Sequence, residues 1–131
     1  MSAIEQSTAV RGWDQPGEFH VAEEPLGAGG VLLTVSGELD IATAPELRKR
    51  LTSAIEAGAR RLVIDLSPVD FMDSVAMAAI IHARTQMADK GRMAIVLEGD
   101  SYTRLVFEIA GLPRCLDLFE TRDAAIAHVG S

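Results

Sequence analysis

The sequence is short of the residues that build covalent or metal crosslinks. It has one cysteine, Cys115, so no disulfide can form within the chain, and its three histidines, His20, His82 and His128, are too widely separated for the spacing of a metal site. No early segment pairs a basic start with an apolar run of signal-peptide length, and the longest apolar run, residues 75–81, is far too short to span a bilayer. We therefore expect a cytoplasmic protein without a metal or other cofactor.

Basic residues are also scarce. The 131 residues include 12 Lys and Arg against 19 Asp and Glu, which gives a net charge of -7 and a pI near 4.8. Such a charge repels phosphate backbones and anionic lipid heads unless a local basic patch overcomes it. The basic clusters at residues 48–50 and 60–61 are short, and a solvated helix face and a strand edge explain them. We expect neither a nucleic-acid partner nor a membrane partner.

The composition is that of an ordinary globular domain, with 48% hydrophobic and 24% charged residues. Residues 1–17 are polar, contain Pro16 and Gly17 and lack periodicity, which predicts a flexible N-terminal arm. Residues 18–131 are predicted to form one domain.

Strand and helix patterns alternate along that domain. The predicted strands lie near residues 19–22, 31–35, 62–66, 93–97 and 116–119. The predicted helices cover residues 44–57, 74–90, 101–110 and 122–129. The order ββαβαβαβα predicts an α/β fold with a mixed, mostly parallel sheet of four to five strands and about four helices.

Three local patterns make the predictions for the first three helices more specific. Residues 43–46 have the form of a capping box, in which Thr43 accepts from a first-turn amide and Glu46 reaches back. Gly91 is placed to end the second helix. In the third helix, Tyr102, Leu105, Val106 and Ile109 are predicted to share one apolar face.

Two strand-to-helix connections, residues 38–43 and 70–74, lie at the carboxyl ends of strands, where α/β sheets bind their ligands. Ser74 follows Asp73 at the start of a helix, so its hydroxyl is predicted to face outwards with free backbone amides behind it. The alternative interpretation is that Ser74 is only an N-cap.

Enzymatic interpretations of this stretch find little support. A serine hydrolase needs a sharp turn such as G-x-S-x-G and a paired base, but Ser74 is flanked by Asp73 and Val75. A phosphate-binding loop should precede a helix, whereas the glycines of residues 27–30 lie in the predicted hairpin. A receiver domain could use Asp65 or Asp70, but the sequence shows no clear acidic pair after the first strand and no clear late lysine. A hydrolase remains the third hypothesis, and it predicts ester turnover.

The motifs Gly37-Glu38-Leu39-Asp40, Phe71-Met72-Asp73-Ser74 and Gly111-Leu112, in this order, resemble the STAS domain family, specifically the bacterial anti-sigma factor antagonists. The resemblance extends from about residue 18 to the end. It implies a non-enzymatic switch that regulates sigma-factor-dependent transcription. Unphosphorylated, such a protein binds an anti-sigma factor that is also a serine kinase of the histidine-kinase-like ATPase type; phosphorylated, it lets go. The implied phosphorylation site is Ser74, and a serine phosphatase is a further candidate partner.

The chain departs from the family pattern, which usually has a second hydroxyl residue and then glycine after the serine, because Val75 and Ala76 stand there. This departure favours the alternative of a STAS scaffold or transport-accessory module that is never phosphorylated. In either case small residues beside Ser74 would let a partner helix approach closely. The predicted partner-binding surface consists of Asp40, Thr43, Asp73, Ser74, Val75, Ala78 and Ala79.

Overall fold

The computed structural model describes residues 18–130, so the predicted arm over residues 1–17 lies outside the described residues. The strands are β1 His20–Pro25, β2 Gly30–Leu39, β3 Arg61–Asp65, β4 Val69–Met72, β5 Arg92–Val96 and β6 Leu118–Phe119. The helices are α1 Ala44–Glu56, α2 Ser74–Met87, α3 Tyr102–Ile109 and α4 Arg122–Gly130, and a 3-10 turn, Leu112–Arg114, precedes β6.

The strands form one sheet in the order β1-β2-β3-β5-β6, antiparallel between β1 and β2 and parallel elsewhere. The predicted α/β class and mostly parallel sheet are confirmed. The connection predicted between the third strand and the second helix contains one additional short strand, β4. It pairs in parallel with the end of β2, with Leu39 opposite Met72.

The two faces of the sheet are covered unequally. The larger core lies on the face that carries α1 and α2, and it includes Leu33, Leu47, Leu51, Ile64, Ile80 and Ile95. The smaller core lies beneath α4 and consists of Leu32, Val63, Ala94, Val96, Ala125 and Val129. Because β3 and β5 send alternate side chains into both cores, the consecutive residues 62–64 and 93–96 within them are all apolar.

An ion pair between a buried carboxylate and an exposed arginine ties α4 to the sheet. Asp65, the last residue of β3, is almost fully buried and accepts from the Arg122 guanidinium, which also donates to the Thr34 hydroxyl at 2.9 Å. The second oxygen of Asp65 accepts from the Ser67 amide at 2.9 Å. These bonds compensate the desolvation of the carboxylate, so Asp65 serves a structural role.

The apolar face predicted for α3 lies mostly on the surface and not on the core. Tyr102 is 60% exposed and Ile109 is 78% exposed, and Leu105 is also exposed, whereas Phe107 and Thr103 are buried. The Thr103 hydroxyl donates to the carbonyl of Val69 in β4 at 3.4 Å. Helix α3 therefore turns the Phe107 ring and the Thr103 hydroxyl towards the domain. Tertiary packing overrides the apolar pattern along the helix. Tyr102, Leu105 and Ile109 form an apolar stripe on the surface, which we call the α3 stripe.

The role predicted for Gly91 is also wrong. Helix α2 ends at Met87, and Gly91 does not have the positive φ of a terminating glycine. A Cβ on Gly91 would lie 1.9 Å from the carbonyl oxygen of Arg60, which accepts from the Arg92 amide at 2.8 Å. Gly91 is thus required for the close approach of the chain to β3. By contrast, Gly58 follows α1 with a φ of 100°, as a C-terminal glycine should.

Candidate functional site

The ends of β2 and β4 bring the two predicted connections together. Leu39 and Met72 are paired in the sheet, and the Asp73 amide donates to the Leu39 carbonyl at 3.0 Å. Asp40 and Asp73 each follow one of these paired residues, so the loops that lead into α1 and α2 start side by side at one edge of the sheet. The structure therefore places the predicted site residues of both connections in one region.

Asp73 is the N-cap of α2. Its carboxylate oxygen Oδ1 accepts from the amides of Val75 at 3.0 Å and Ala76 at 3.1 Å, and its backbone is extended. The interpretation of Ser74 as the cap is therefore wrong, because Ser74 is the first residue inside the helix. The prediction of free amides behind Ser74 needs the same correction, since the Asp73 carboxylate already occupies two of them.

Ser74 presents an unengaged hydroxyl. Its side chain is exposed and makes no hydrogen bond to any residue in the described range 18–130. No described histidine, lysine or carboxylate is hydrogen-bonded to this oxygen as a base. The arrangement can accept a covalent modification from outside without the loss of an internal contact.

Thr43, in the other connection, is fully engaged. Asp40 Oδ1 accepts from the amides of Ala42 at 2.9 Å and Thr43 at 3.1 Å. The Thr43 hydroxyl accepts from the Asp40 amide at 2.9 Å and donates to the Glu38 carbonyl at 2.9 Å. The predicted capping box is therefore wrong: Thr43 is the residue before α1 but makes no side-chain cap bond. The preceding turn competes for its hydroxyl and holds it.

Exposed apolar side chains lie in the connection before α1 and in the first turns of α2. Ile41 is 73% exposed and Val75 is 43% exposed, and Ala78 faces solvent one turn into α2. The prediction that Ala79 is part of the exposed patch is wrong, since its exposed fraction is 3%. Ala79 faces α1 instead.

A cleft of about 150 Å³ separates the first turns of α1 and α2. Its lining consists of Ala44, Pro45 and Arg48 from α1 and Val75 and Ala79 from α2. We call it the α1–α2 cleft. Arg48 is exposed and makes no hydrogen bond or ion pair with a described residue. Sequence reasoning missed Arg48 and Ile41 as site residues, because it assigned Arg48 to a solvated helix face.

Among residues 18–130, no group of three or more His, Cys, Asp or Glu side chains is arranged to hold a metal ion. In the same range, every helix is too short or too polar to cross a membrane.

Comparison with known proteins assigns the family. The STAS domain family model matches residues 21–125, so the chain belongs to the STAS domain family. The anti-sigma-F factor antagonist RsfB of Mycobacterium tuberculosis is 30% identical over 101 residues, which are 77% of this chain and 82% of that protein. The family resemblance and the likeness to anti-sigma factor antagonists are thereby confirmed.

Solved structures agree with this assignment. The crystal structure of an anti-sigma factor antagonist from Mycobacterium paratuberculosis matches with a TM-score of 0.80 at 28% identity, over 88% of this chain and 97% of that one. The Bacillus cell fate determinant SpoIIAA in its phosphorylated form matches with a TM-score of 0.62 at 26% identity, over 84% and 99%. These relatives are regulatory proteins of one fold, and one of them exists in a phosphorylated form.

Proposed function

We propose that this protein is an anti-sigma factor antagonist controlled by phosphorylation of Ser74. Unphosphorylated, it binds an anti-sigma factor that is also a serine kinase of the histidine-kinase-like ATPase type, and the sigma factor is freed for transcription. Phosphorylation of Ser74 ends the complex, and a serine phosphatase restores it. The observation that carries the proposal is the exposed, unengaged hydroxyl of Ser74 at the start of α2, in a chain whose relatives are anti-sigma factor antagonists.

The phosphate would change the surface without unfolding the domain. It adds roughly -1.5 to -2 charges at a helix N-terminus, where the dipole favours an anion by about 0.3–1 kcal/mol. The amides of Val75 and Ala76 are already bonded to Asp73. The phosphate therefore finds these donors taken and stays on the surface, beside a carboxylate of the same sign.

Release of the partner follows from desolvation. Burying a dianion next to Asp70 and Asp73 in an interface costs several kcal/mol unless the partner supplies matching cations. Each 1.4 kcal/mol of that cost lowers the affinity about tenfold. The phosphorylated surface is thus incompatible with a close interface over Ser74.

The proposed partner-binding surface combines both connections. Ser74, Val75 and Ala78 contribute exposed atoms; Asp73 caps α2, and Asp40 holds the turn that leads into α1. Thr43 contributes by fixing its turn, and Ala79 contributes only as a wall of the α1–α2 cleft. The surface is small and apolar around one hydroxyl, which suits a packed helix more than an extended polar ligand.

A second candidate function is a STAS scaffold or transport-accessory module that binds its partner through the same surface and is never phosphorylated. Val75 favours it, because an exposed valine stands where the family usually has a hydroxyl residue. The two candidates differ in one respect: only the switch requires that charge on Ser74 abolish binding.

The test uses the wild-type protein, Ser74→Glu and Ser74→Ala as baits in extract from the native cells, with bound proteins identified and quantified by mass spectrometry. Ser53→Glu is the matched control, because Ser53 is an exposed serine on α1 distant in sequence from the site. We expect the wild type, Ser74→Ala and Ser53→Glu to capture an anti-sigma factor kinase, and Ser74→Glu to capture none. Equal capture by all four baits, or a partner without a kinase domain, would instead support the scaffold.

The same proteins allow a check for enzymatic activity. We expect none of them to hydrolyse generic ester substrates, because no described base is paired with the Ser74 hydroxyl. Turnover that Ser74→Ala abolishes would favour a hydrolase.

A further inference from the structure

The α1–α2 cleft is small and lined mostly by apolar residues. Its lining includes the buried alanines Ala44 and Ala79 and the more exposed Pro45 and Val75. Its volume is about 150 Å³. An apolar cavity of about this size accommodates a benzene molecule, so the cleft has room for a single aliphatic or aromatic side chain.

Among the described residues that line the cleft, Arg48 is the one that carries a charge. Its neighbour Arg50 is bonded to the Val21 carbonyl and lies 3.5 Å from Glu23, whereas Arg48 has no such partner among the described residues. An arginine with no internal ion pair at the rim of an apolar cleft leaves its guanidinium available for an external carboxylate. The lining therefore matches a ligand with one apolar group and one anionic group.

The cleft adjoins the surface proposed to bind the anti-sigma factor, because Val75, which lines it, directly follows Ser74. An apolar residue and a carboxylate three or four positions apart share one side of a helix. A helix of the partner that packs over Ser74 can place both groups in the cleft at once.

Resting on the function proposed above, we propose that the α1–α2 cleft determines partner specificity: it receives an aliphatic side chain from a helix of the anti-sigma factor, while Arg48 pairs with an Asp or Glu one turn away on that helix. Val75 then has a positive role. Its exposed methyl groups form part of the cleft wall, where the family's usual hydroxyl would present a polar group. The departure from the family pattern thus selects a partner with an apolar side chain at this point.

The experiment measures the dissociation constant for the purified anti-sigma factor identified by the capture experiment, using calorimetry at low and high salt. The variants are Arg48→Glu, Arg48→Gln and Val75→Thr, which keeps the side-chain shape and adds a hydroxyl. Arg84→Glu is the matched control, because Arg84 is also an arginine with no bond to a described residue but lies in the last turn of α2. Ser74→Glu reports on the switch itself, and the melting temperature of each variant reports on folding.

We expect Arg48→Glu to weaken binding by about tenfold or more at low salt, and by less at high salt because exposed charges are screened. Arg48→Gln should have a smaller effect, Val75→Thr should weaken binding a few-fold, and Arg84→Glu should bind as the wild type does. If Arg48→Glu melts below the wild type, Arg48→Gln and its salt dependence decide the question.

Wild-type affinity in both Arg48 variants would overturn the specificity proposal, and so would an equal loss in Arg84→Glu. Ser74→Glu is judged separately. If Ser74→Glu no longer binds the anti-sigma factor while the Arg48 variants bind normally, the phosphorylation switch stands and the specificity role of the cleft is refuted. If Ser74→Glu still binds while the Arg48 variants bind weakly, the switch is refuted and the role of the cleft is supported.

Discussion

The two strand-to-helix connections at the edge of the sheet share one hydrogen-bonding arrangement but differ in the state of their hydroxyl groups. In each, an aspartate follows the strand and its Oδ1 accepts two backbone amides, those of Ala42 and Thr43 for Asp40 and those of Val75 and Ala76 for Asp73. The hydroxyl of Thr43 is locked into its turn, whereas the hydroxyl of Ser74 is unengaged.

The difference comes from the position of the hydroxyl relative to the aspartate. Thr43 stands three residues after Asp40, where its oxygen reaches back to the Asp40 amide. Ser74 stands one residue after Asp73, inside the first turn of the helix and pointing away from the cap. One spacing produces a structural hydroxyl and the other an accessible one.

The largest expected difference between the two hydroxyls is in phosphate transfer. Incubation with the partner kinase and ATP should add one phosphate to the wild type and to Thr43→Val, and none to Ser74→Ala, because of these two hydroxyls Ser74 has the unengaged one. Intact-mass spectrometry measures the outcome. Phosphate on Ser74→Ala at Thr43 would mean that the turn opens readily, and the contrast between the two connections would then fail.

Four residues further along, the comparison extends to the helices. Ala78 follows Ser74 by four residues and is exposed, whereas Leu47 follows Thr43 by four and is fully buried. Ala78→Arg should therefore weaken partner binding by about tenfold or more without lowering the melting temperature. Ala124→Arg, at an exposed alanine on α4, is the control and should bind normally. Unchanged binding by Ala78→Arg would remove α2 from the interface.

The smallest expected effects are on stability, and here the Thr43 variant and not the Ser74 variant is the one affected. Thr43→Val removes the acceptor of the Asp40 amide and the donor to Glu38, so it should lower the free energy of unfolding by about 1–2 kcal/mol. Ser74→Ala breaks no internal bond and should change it by less than about 0.5 kcal/mol. Urea unfolding of the two variants measures both values, and equal losses would show that Ser74 is structural after all.

The sequence alone could predict the elements that are determined by local hydrophobic patterns. The largely apolar stretches at residues 62–66 and 93–97, the first interrupted only by Asp65, predicted β3 and β5 because both faces of those strands are buried. Strand β4 escaped prediction because its burial does not alternate: Val69 and Met72 are buried while Asp70 and Phe71 are exposed. It forms because the end of β2 offers it a pairing edge, which is a tertiary condition.

The candidate site divides in the same way. Ser74 could be located because an aspartate and a serine before a helical pattern are a local signal. The burial of Ala79 and the placement of Arg48 beside Val75 could not, because both depend on how α1 packs against α2. The hydrogen-bonding role of Thr43 was predicted wrongly for a different, local reason: its hydroxyl could bond either to the first turn of α1 or to the preceding turn, and in the structure it bonds to the preceding turn.

The α3 stripe affects the solubility of the protein at different pH values. At neutral pH a net charge of -7 makes copies repel one another, so an exposed tyrosine, leucine and isoleucine on one helix do little harm. As the pH falls towards the isoelectric point near 4.8, the charge repulsion between copies disappears, while the hydrophobic attraction between their α3 stripes remains. Concentrated stocks should therefore be kept well above that pH, and Leu105→Lys on the stripe is the first change to make for solubility.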